Sequence, residues 1–434
     1  MIYPVSHIKS VTVITFIVSA IFLTSNVSLA QVSDPTQREE TKAKTVNLKD
    51  CITIAYESNL QLSAARNRLG TAEADRIKAS FLLPSNPKVI SKVGERDGPD
   101  GARTTDYMVR LSQEFQVFGQ RRKRINVSNK LIERVKFEIS DLERNVIAKV
   151  KTNFYEVLTF LEIVKLREYA ENIFERIHSA SVERYKAGAI SALELNSMKI
   201  KYGVARQQLL VANNNYENSL LDMKLILGKP RDEALTIDGK LSYEELKISI
   251  DDILASAYKT RPDLKAAELE KERASKEISL RKAEIFPNPT LSGFFSREER
   301  TDDIVGGFVS ISIPVWDRKQ PELKKARTSK STASINISNK RLQIQNDVAT
   351  AYRTFTAAKQ GIAIYTDDIM PQVNENLKLN EISYKEGKIN FVGFLMMQSD
   401  LIETQTTYLE ALLSYNNAIV NLEAASGVQL KILN

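Results

Sequence analysis

Tyr185-Lys186-Ala187-Gly188-Ala189-Ile190 decides the reading of this chain, because it occurs twice. Its second copy, Tyr384-Lys385-Glu386-Gly387-Lys388-Ile389, follows 199 positions later (188 to 387). Each copy sets a single Gly between two long stretches whose apolar residues recur at helical spacing. Gly is the residue that most readily adopts the left-handed conformation that ends a helix. Each copy therefore predicts the tip of a helix hairpin, with long arms running away from it.

Other landmarks repeat around the tips in the same order. Asn86-Pro87 answers to Asn288-Pro289, Val117-Phe118 to Val315-Trp316, and Leu227-Gly228 to Ser426-Gly427, at offsets of 202, 198 and 199. This predicts an internal duplication, with repeats over 48–228 and 250–428 and a linker over 229–249. Such repeats are domain-sized, far longer than the roughly 20–50 residues of a solenoid element.

Within each repeat the apolar period changes from helix to strand and back. From Leu48 to Leu83 the spacing is helical, with a break near Ser58-Asn59 and a stop at Pro84 and Pro87. From Tyr107 to Val117 apolar and polar residues alternate, as in a strand with one greasy and one wet face. We therefore predict strands over about 88–95 and 107–118, joined by the turn Arg96-Asp97-Gly98-Pro99-Asp100-Gly101. The second repeat predicts strands over about 290–297 and 304–315. Strands of about ten residues have the length that crosses a bilayer at the usual tilt. Arg121 to Ala187 then runs 67 residues (121 to 187) without Gly or Pro, a helix of about 100 Å. The matching helix, from about Pro321 to Glu386, contains Gly361 and Pro371 as expected kinks.

Composition agrees with helices exposed along much of their length. Aromatic residues are 7% of the chain and charged residues 26%, while the net charge of +7 singles out no ligand class. Lys9, the apolar run Val11–Leu23 and Val27-Ser28-Leu29-Ala30 read as a secretory signal peptide over 1–30, followed by a polar arm over 31–47. The run is short for a bilayer span. Cys51 is the single cysteine, so no intramolecular disulfide is expected. It lies too far along to carry an N-terminal lipid anchor. His7 and His178 make no metal site, and no cofactor motif or enzyme signature appears.

Four membrane-length strands cannot close a barrel, and open sheet edges are not tolerated in lipid. Several copies must pool their strands, and a closed ring is the form that leaves no edge. The signal peptide, the duplicated halves, the Asn-Pro pairs before each first strand and the Tyr-x-x-Gly tips together resemble the TolC family of outer-membrane efflux channels. The resemblance covers about 48–428. Leu111 to Arg122, with Gly119-Gln120-Arg121, is similar to the metal-cation efflux (CzcC-like) branch.

The resemblance implies an α+β membrane protein: a long α-helical coiled-coil barrel and a twelve-stranded transmembrane β-barrel, four strands from each chain of a homotrimer. It implies location in the cell outer membrane with the helices in the periplasm. A periplasmic adaptor (membrane fusion) protein and an inner-membrane pump of the RND type are the implied partners. The tips, with Ala187, Gly188, Ala189, Glu386 and Gly387, become the expected adaptor-docking surface. Family members hold the periplasmic gate shut through an acidic residue six positions after the first tip Gly, the Tyr of the second tip and a nearby basic residue. Glu194, Tyr384 and Lys388 stand at or beside those positions. The family's inner acidic ring is not reproduced, since Gly393 and Met396 occupy its places.

Arg121-Arg122-Lys123-Arg124 reads as a membrane-interface cluster rather than a nucleic-acid patch, because it directly follows a membrane strand. Phe118 and Trp316 read as an interfacial aromatic girdle, or else as a packed joint between strand and helix. Two other functions fit part of the pattern. The channel of a type I protein secretion system would share the whole scaffold. A periplasmic coiled-coil adaptor would have one helix hairpin flanked by compact β domains, not two hairpins each preceded by a strand pair.

Overall fold

In a computed structural model of the chain, the residues described are 44–98, 101, 103–299 and 301–430. The expected signal peptide and most of the polar arm lie outside them. The first repeat runs β1 (Lys44–Val46), α1 (Leu48–Ser58), α2 (Leu60–Ser80), β2 (Lys88–Asp97), β3 (Arg103–Glu114), α3 (Gln120–Lys186) and α4 (Ala192–Ile226). After β4 (Leu235–Ile237) the order recurs as α5 (Ile250–Thr260), α6 (Pro262–Ala283), β5 (Thr290–Glu298), β6 (Asp302–Ser310), α7 (Gln320–Ile364), α8 (Met370–Lys385) and α9 (Phe391–Ser426).

The hairpin tips follow from glycine. Gly188 and Gly387 both have φ of +70°, and the amides just after them bond back to the carbonyls of Arg184 and Ser383. These bonds satisfy carbonyls that the helix ends would otherwise leave free. At the opposite end of α4, Gly228 (φ +67°) has a second reason to be glycine. A Cβ there would lie 2.3 Å from the Ser58 carbonyl oxygen.

Each repeat builds its own core. Val150, Phe154, Val157, Met223 and Leu227 pack with Cys51, Leu62 and Ile237 in the first. Ile344, Phe355, Tyr415, Ile419 and Leu422 pack with Ile253 and Ala257 in the second. The two cores meet where α3 packs on α6 and α9. Buried Lys151 and Glu423 pair across that contact at 2.6 Å. Burial, with nearby Asp50, pushes the Cys51 thiol up to about 12, so it is an inert core residue.

Three expectations need correction. The end of the polar arm is not loose: β1 pairs in parallel with β4 of the linker, which buries Val46 and Ile237 in the first core. The linker is tied down again at Glu244, Glu245 and Leu246. Tyr415 donates to the Glu244 carbonyl, and Lys359 bonds Glu245 and the Leu246 carbonyl. Three-residue strands carry no readable period, and their pairing spans 191 positions (44 to 235). Second, β3 and β6 stop at Glu114 and Ser310, short of the expected 118 and 315. Third, Gly361 lies within regular α7, and the irregularity is a π turn over Tyr365–Ile369 leading into Pro371. Proline has no N–H to donate, so the helix changes its bonding frame just before it.

Candidate functional site

The other sheet has four antiparallel strands in the order β2-β3-β5-β6, and its register decides which side chains share a face. Val89, Leu111, Gly293 and Gly307 form one row, and Ser91, Val109, Phe295 and Val305 the next. This face is apolar and uncovered by the chain: Val89 is 70% exposed and Val305 80%. The opposite face carries Lys88, Ser112, Ser292 and Phe308 in one row, then Ile90, Arg110, Phe294 and Gly306, then Lys92, Met108, Ser296 and Ile304. Alternation of this kind suits a wall with lipid on one side and a polar lumen on the other. At the turn end, Arg96 binds Asp106 and Glu298, each at 2.8 Å, and Glu299 at 2.9 Å, tying the two strand hairpins together.

Where the sheet meets the helices, a buried glutamine organises the joint. Gln120 opens α3 at 2% exposure; its side-chain oxygen accepts from the Phe118 amide at 3.0 Å. Its Nε2 donates to the carbonyls of Ala283 and Phe286 and to Asn288 Oδ1. Asn288 in turn donates to Glu114 at 2.6 Å. Arg121 donates to the Ser80 carbonyl at 2.8 Å, fastening α3 to the end of α2, while Arg122 is exposed. Phe118 stacks on Phe286 with ring centres 4.9 Å apart, so it is a joint residue.

Trp316 is 88% exposed and is not the structural match of Phe118. In the second repeat Gln320 opens α7 and accepts from the Arg318 amide, after a left-handed Lys319 that matches left-handed Gly119. The true offset at this joint is therefore 200, and Phe118 corresponds to Arg318. Similar residue types two positions apart misled the sequence match.

At the tips Ala187, Gly188, Ala189, Glu386 and Gly387 are all exposed. Glu194 is the third residue of α4 and closes a capping box, accepting from the Ser191 amide at 3.0 Å while its own amide donates to Ser191 Oγ. Lys388 pairs with Glu386 at 2.6 Å. Tyr384 stacks on Phe394 and leans on Phe391, with ring centres 4.9 and 5.6 Å away. Within the chain each of the three expected gate residues thus has a local partner, and no hydrogen bond or ion pair joins Glu194 to the other two among the described residues.

The family model described as outer membrane efflux protein matches residues 52–229 and 253–428, covering both repeats. The chain belongs to the outer membrane efflux protein family. It is 22% identical over 238 residues to toxin and drug export protein A of Aggregatibacter actinomycetemcomitans, covering 52% of each. The chain thus spans about half the length of the curated relatives it matches. Its fold matches the open-state MtrE outer membrane channel of Neisseria gonorrhoeae with a TM-score of 0.71 at 18% identity, covering 88% of this chain and 89% of that one. The CmeC outer membrane channel of Campylobacter jejuni gives 0.69 at 18% identity, covering 94% and 95%.

As a member of the efflux family the chain keeps its structural couplings in residues that the sequence reading passed over. Gln120 carries no local sequence signal for the bonds it makes. Arg96 looked like turn chemistry, though it binds carboxylates on two hairpins. Asn59 and Arg261 open α2 and α6 and hold the Ile226 and Ala425 carbonyls at the ends of α4 and α9. Their shared task in matching places was detectable from the duplication, but their unlike side chains hid it. No described helix is long and apolar enough to cross a membrane.

Proposed function

We propose that this chain is the outer-membrane exit duct of a tripartite efflux system. It passes small molecules or metal cations delivered by an inner-membrane pump of the RND type and a periplasmic adaptor. One observation carries the reading: a four-stranded sheet with an exposed apolar face and two open outer edges stands on the ends of long helix hairpins. Such edges need partners in lipid, and copies of the same chain supply them. The helices pack in the order α2-α3-α6-α7, parallel to the sheet order β2-β3-β5-β6, so both layers end at matching free faces. Three chains give twelve strands, a size that leaves a lumen. The names of the relatives support export as the task. The exposed tips are the adaptor-docking surface in this reading, and Glu194, Tyr384 and Lys388 form the gate between subunits rather than within one.

Membrane fractionation and native mass measurement in detergent test it together. The channel should remain in the outer membrane after salt washing and appear as a trimer. Release by salt, or a stable monomer in the native membrane, would count against it. A protein-secretion channel is the second reading, favoured by the toxin-export name of one relative. Export of a protein cargo rather than small solutes by cells carrying the chain and its pump would select it.

A further inference from the structure

We infer that the lumen of the barrel favours anions, and that Lys88, Lys92 and Arg110 of each chain set this preference. The inference rests on the trimeric channel reading, which makes the sheet face opposite the apolar one the wall of the pore. Register puts the three cations on that wall: Lys88 lies opposite Ser112, Lys92 opposite Met108, and Ile90 opposite Arg110. They therefore occupy three successive rows of the lumenal face, in the half of the sheet nearer the helices.

Charge on this face is divided by height. Toward the turn end the lumenal rows carry Asp106, Glu298 and Asp302, and Arg96 binds the first two. Toward the helices Glu114 accepts from Asn288 and is held in the joint. Between these levels no carboxylate stands on the lumenal rows, and none pairs with Lys88, Lys92 or Arg110 among the described residues. The Arg110 guanidinium instead lies over the Phe308 ring at 4.9 Å, with one nitrogen 3.7 Å from Met108 Sδ. Its Nε is buried with no partner. An aromatic face and a thioether hold the group in place without neutralising it. Phe294 lies over Gly306 beside Phe308, with their ring centres 6.3 Å apart. Three such sets facing one another across a lumen with low-dielectric walls raise the local concentration of anions and repel cations. The inference names an anionic class of solute for the duct, against the metal-cation cargo that the sequence resemblance implied.

Reversal potentials of the purified full-length channel in planar bilayers, under a KCl gradient, test this directly. The wild type should carry the sign of chloride preference, and more strongly at low ionic strength, where screening is weakest. Lys88→Gln, Lys92→Gln and Arg110→Gln combined should shift the potential toward the potassium side. The charge-keeping set Lys88→Arg, Lys92→Arg and Arg110→Lys should hold it near the wild-type value, which separates charge from mere packing. A conducting channel with cation preference, or with an anion preference unmoved by the glutamine set, overturns the inference and leaves the channel reading intact. A trimer that conducts neither as wild type nor with the gate changes Glu194→Ala and Tyr384→Phe removes both.

Discussion

At the scale of single residues, Gly228 and Gly188 have the same left-handed backbone but different surroundings, which makes them a matched pair. Alanine at Gly188 meets open space, so it should cost about 1–2 kcal/mol for the left-handed backbone alone. Alanine at Gly228 adds a collision with the Ser58 carbonyl and should lower the thermal midpoint in detergent clearly further. Equal midpoints would mean that the α1–α2 break yields freely. Asp263 carries a second residue-scale prediction. Burial pushes its carboxyl up, but hydrogen bonding and charge from Arg261, with Lys340 beyond, outweigh this and hold it below its ordinary value. A carboxyl depressed by folding stabilises above its unfolded pKa of about 4, and that contribution fades as pH falls through the lower folded value. Asp263→Asn should therefore destabilise by about 1–3 kcal/mol near neutrality. Its gap to wild type should narrow on acidification below about pH 4. A pH-independent gap in denaturation curves would assign the loss to packing.

At the scale of elements, the two tips invite the same substitution. Gly188→Asp and Gly387→Asp should leave trimer yield unchanged and abolish efflux complementation if the tips dock an adaptor. Full complementation by both variants would remove docking from the tips. The start of α4 is a harder case, because Glu194 already has a structural task in the capping box. A lost cap costs about 1 kcal/mol. If Glu194 also latches the gate across subunits, Glu194→Ala with Tyr384→Phe should raise single-channel conductance or open time. Unchanged conductance with a slightly less stable α4 would leave it as a cap only.

At the scale of the whole molecule, the duplication states which surfaces of neighbouring subunits meet. Gln120 ties the first repeat to the second through Asn288. Gln320, its counterpart, folds back on its own Trp316 carbonyl at the free face. Asn86, the counterpart of Asn288, stands at the opposite free face, before β2. In the proposed ring, Gln320 of one subunit is expected to meet Asn86 of the next, re-forming the joint between chains. Asn86→Cys with Gln320→Cys, in a Cys51→Ser background, should give dimers and trimers with a short bismaleimide. Pairing Gln320→Cys with Asn288→Cys should not. A native trimer whose thiols label freely but never cross-link would refute this geometry and spare the oligomer itself.

Most of the architecture was legible without coordinates, because each feature that mattered repeats along the chain. Helical period, two-residue alternation and the lone tip glycines are local signals, so α2, α3 and the strand hairpins could be read directly. The duplication then supplied the second half. Everything that depended on contact between distant segments was not legible. β1 needs β4, Arg96 needs carboxylates on β3 and at the end of β5, and Gln120 needs carbonyls from the end of α6. Nor could sequence order distinguish which landmark matched which at the sheet–helix joint, since residue type favoured Trp316 and backbone conformation favours Arg318. The repeating elements follow from the chain's local pattern alone, because backbone preferences and apolar period act over a few residues. Tertiary structure decided which face of the sheet carries charge and what those charges can pair with, because pairing register is a property of strands brought together.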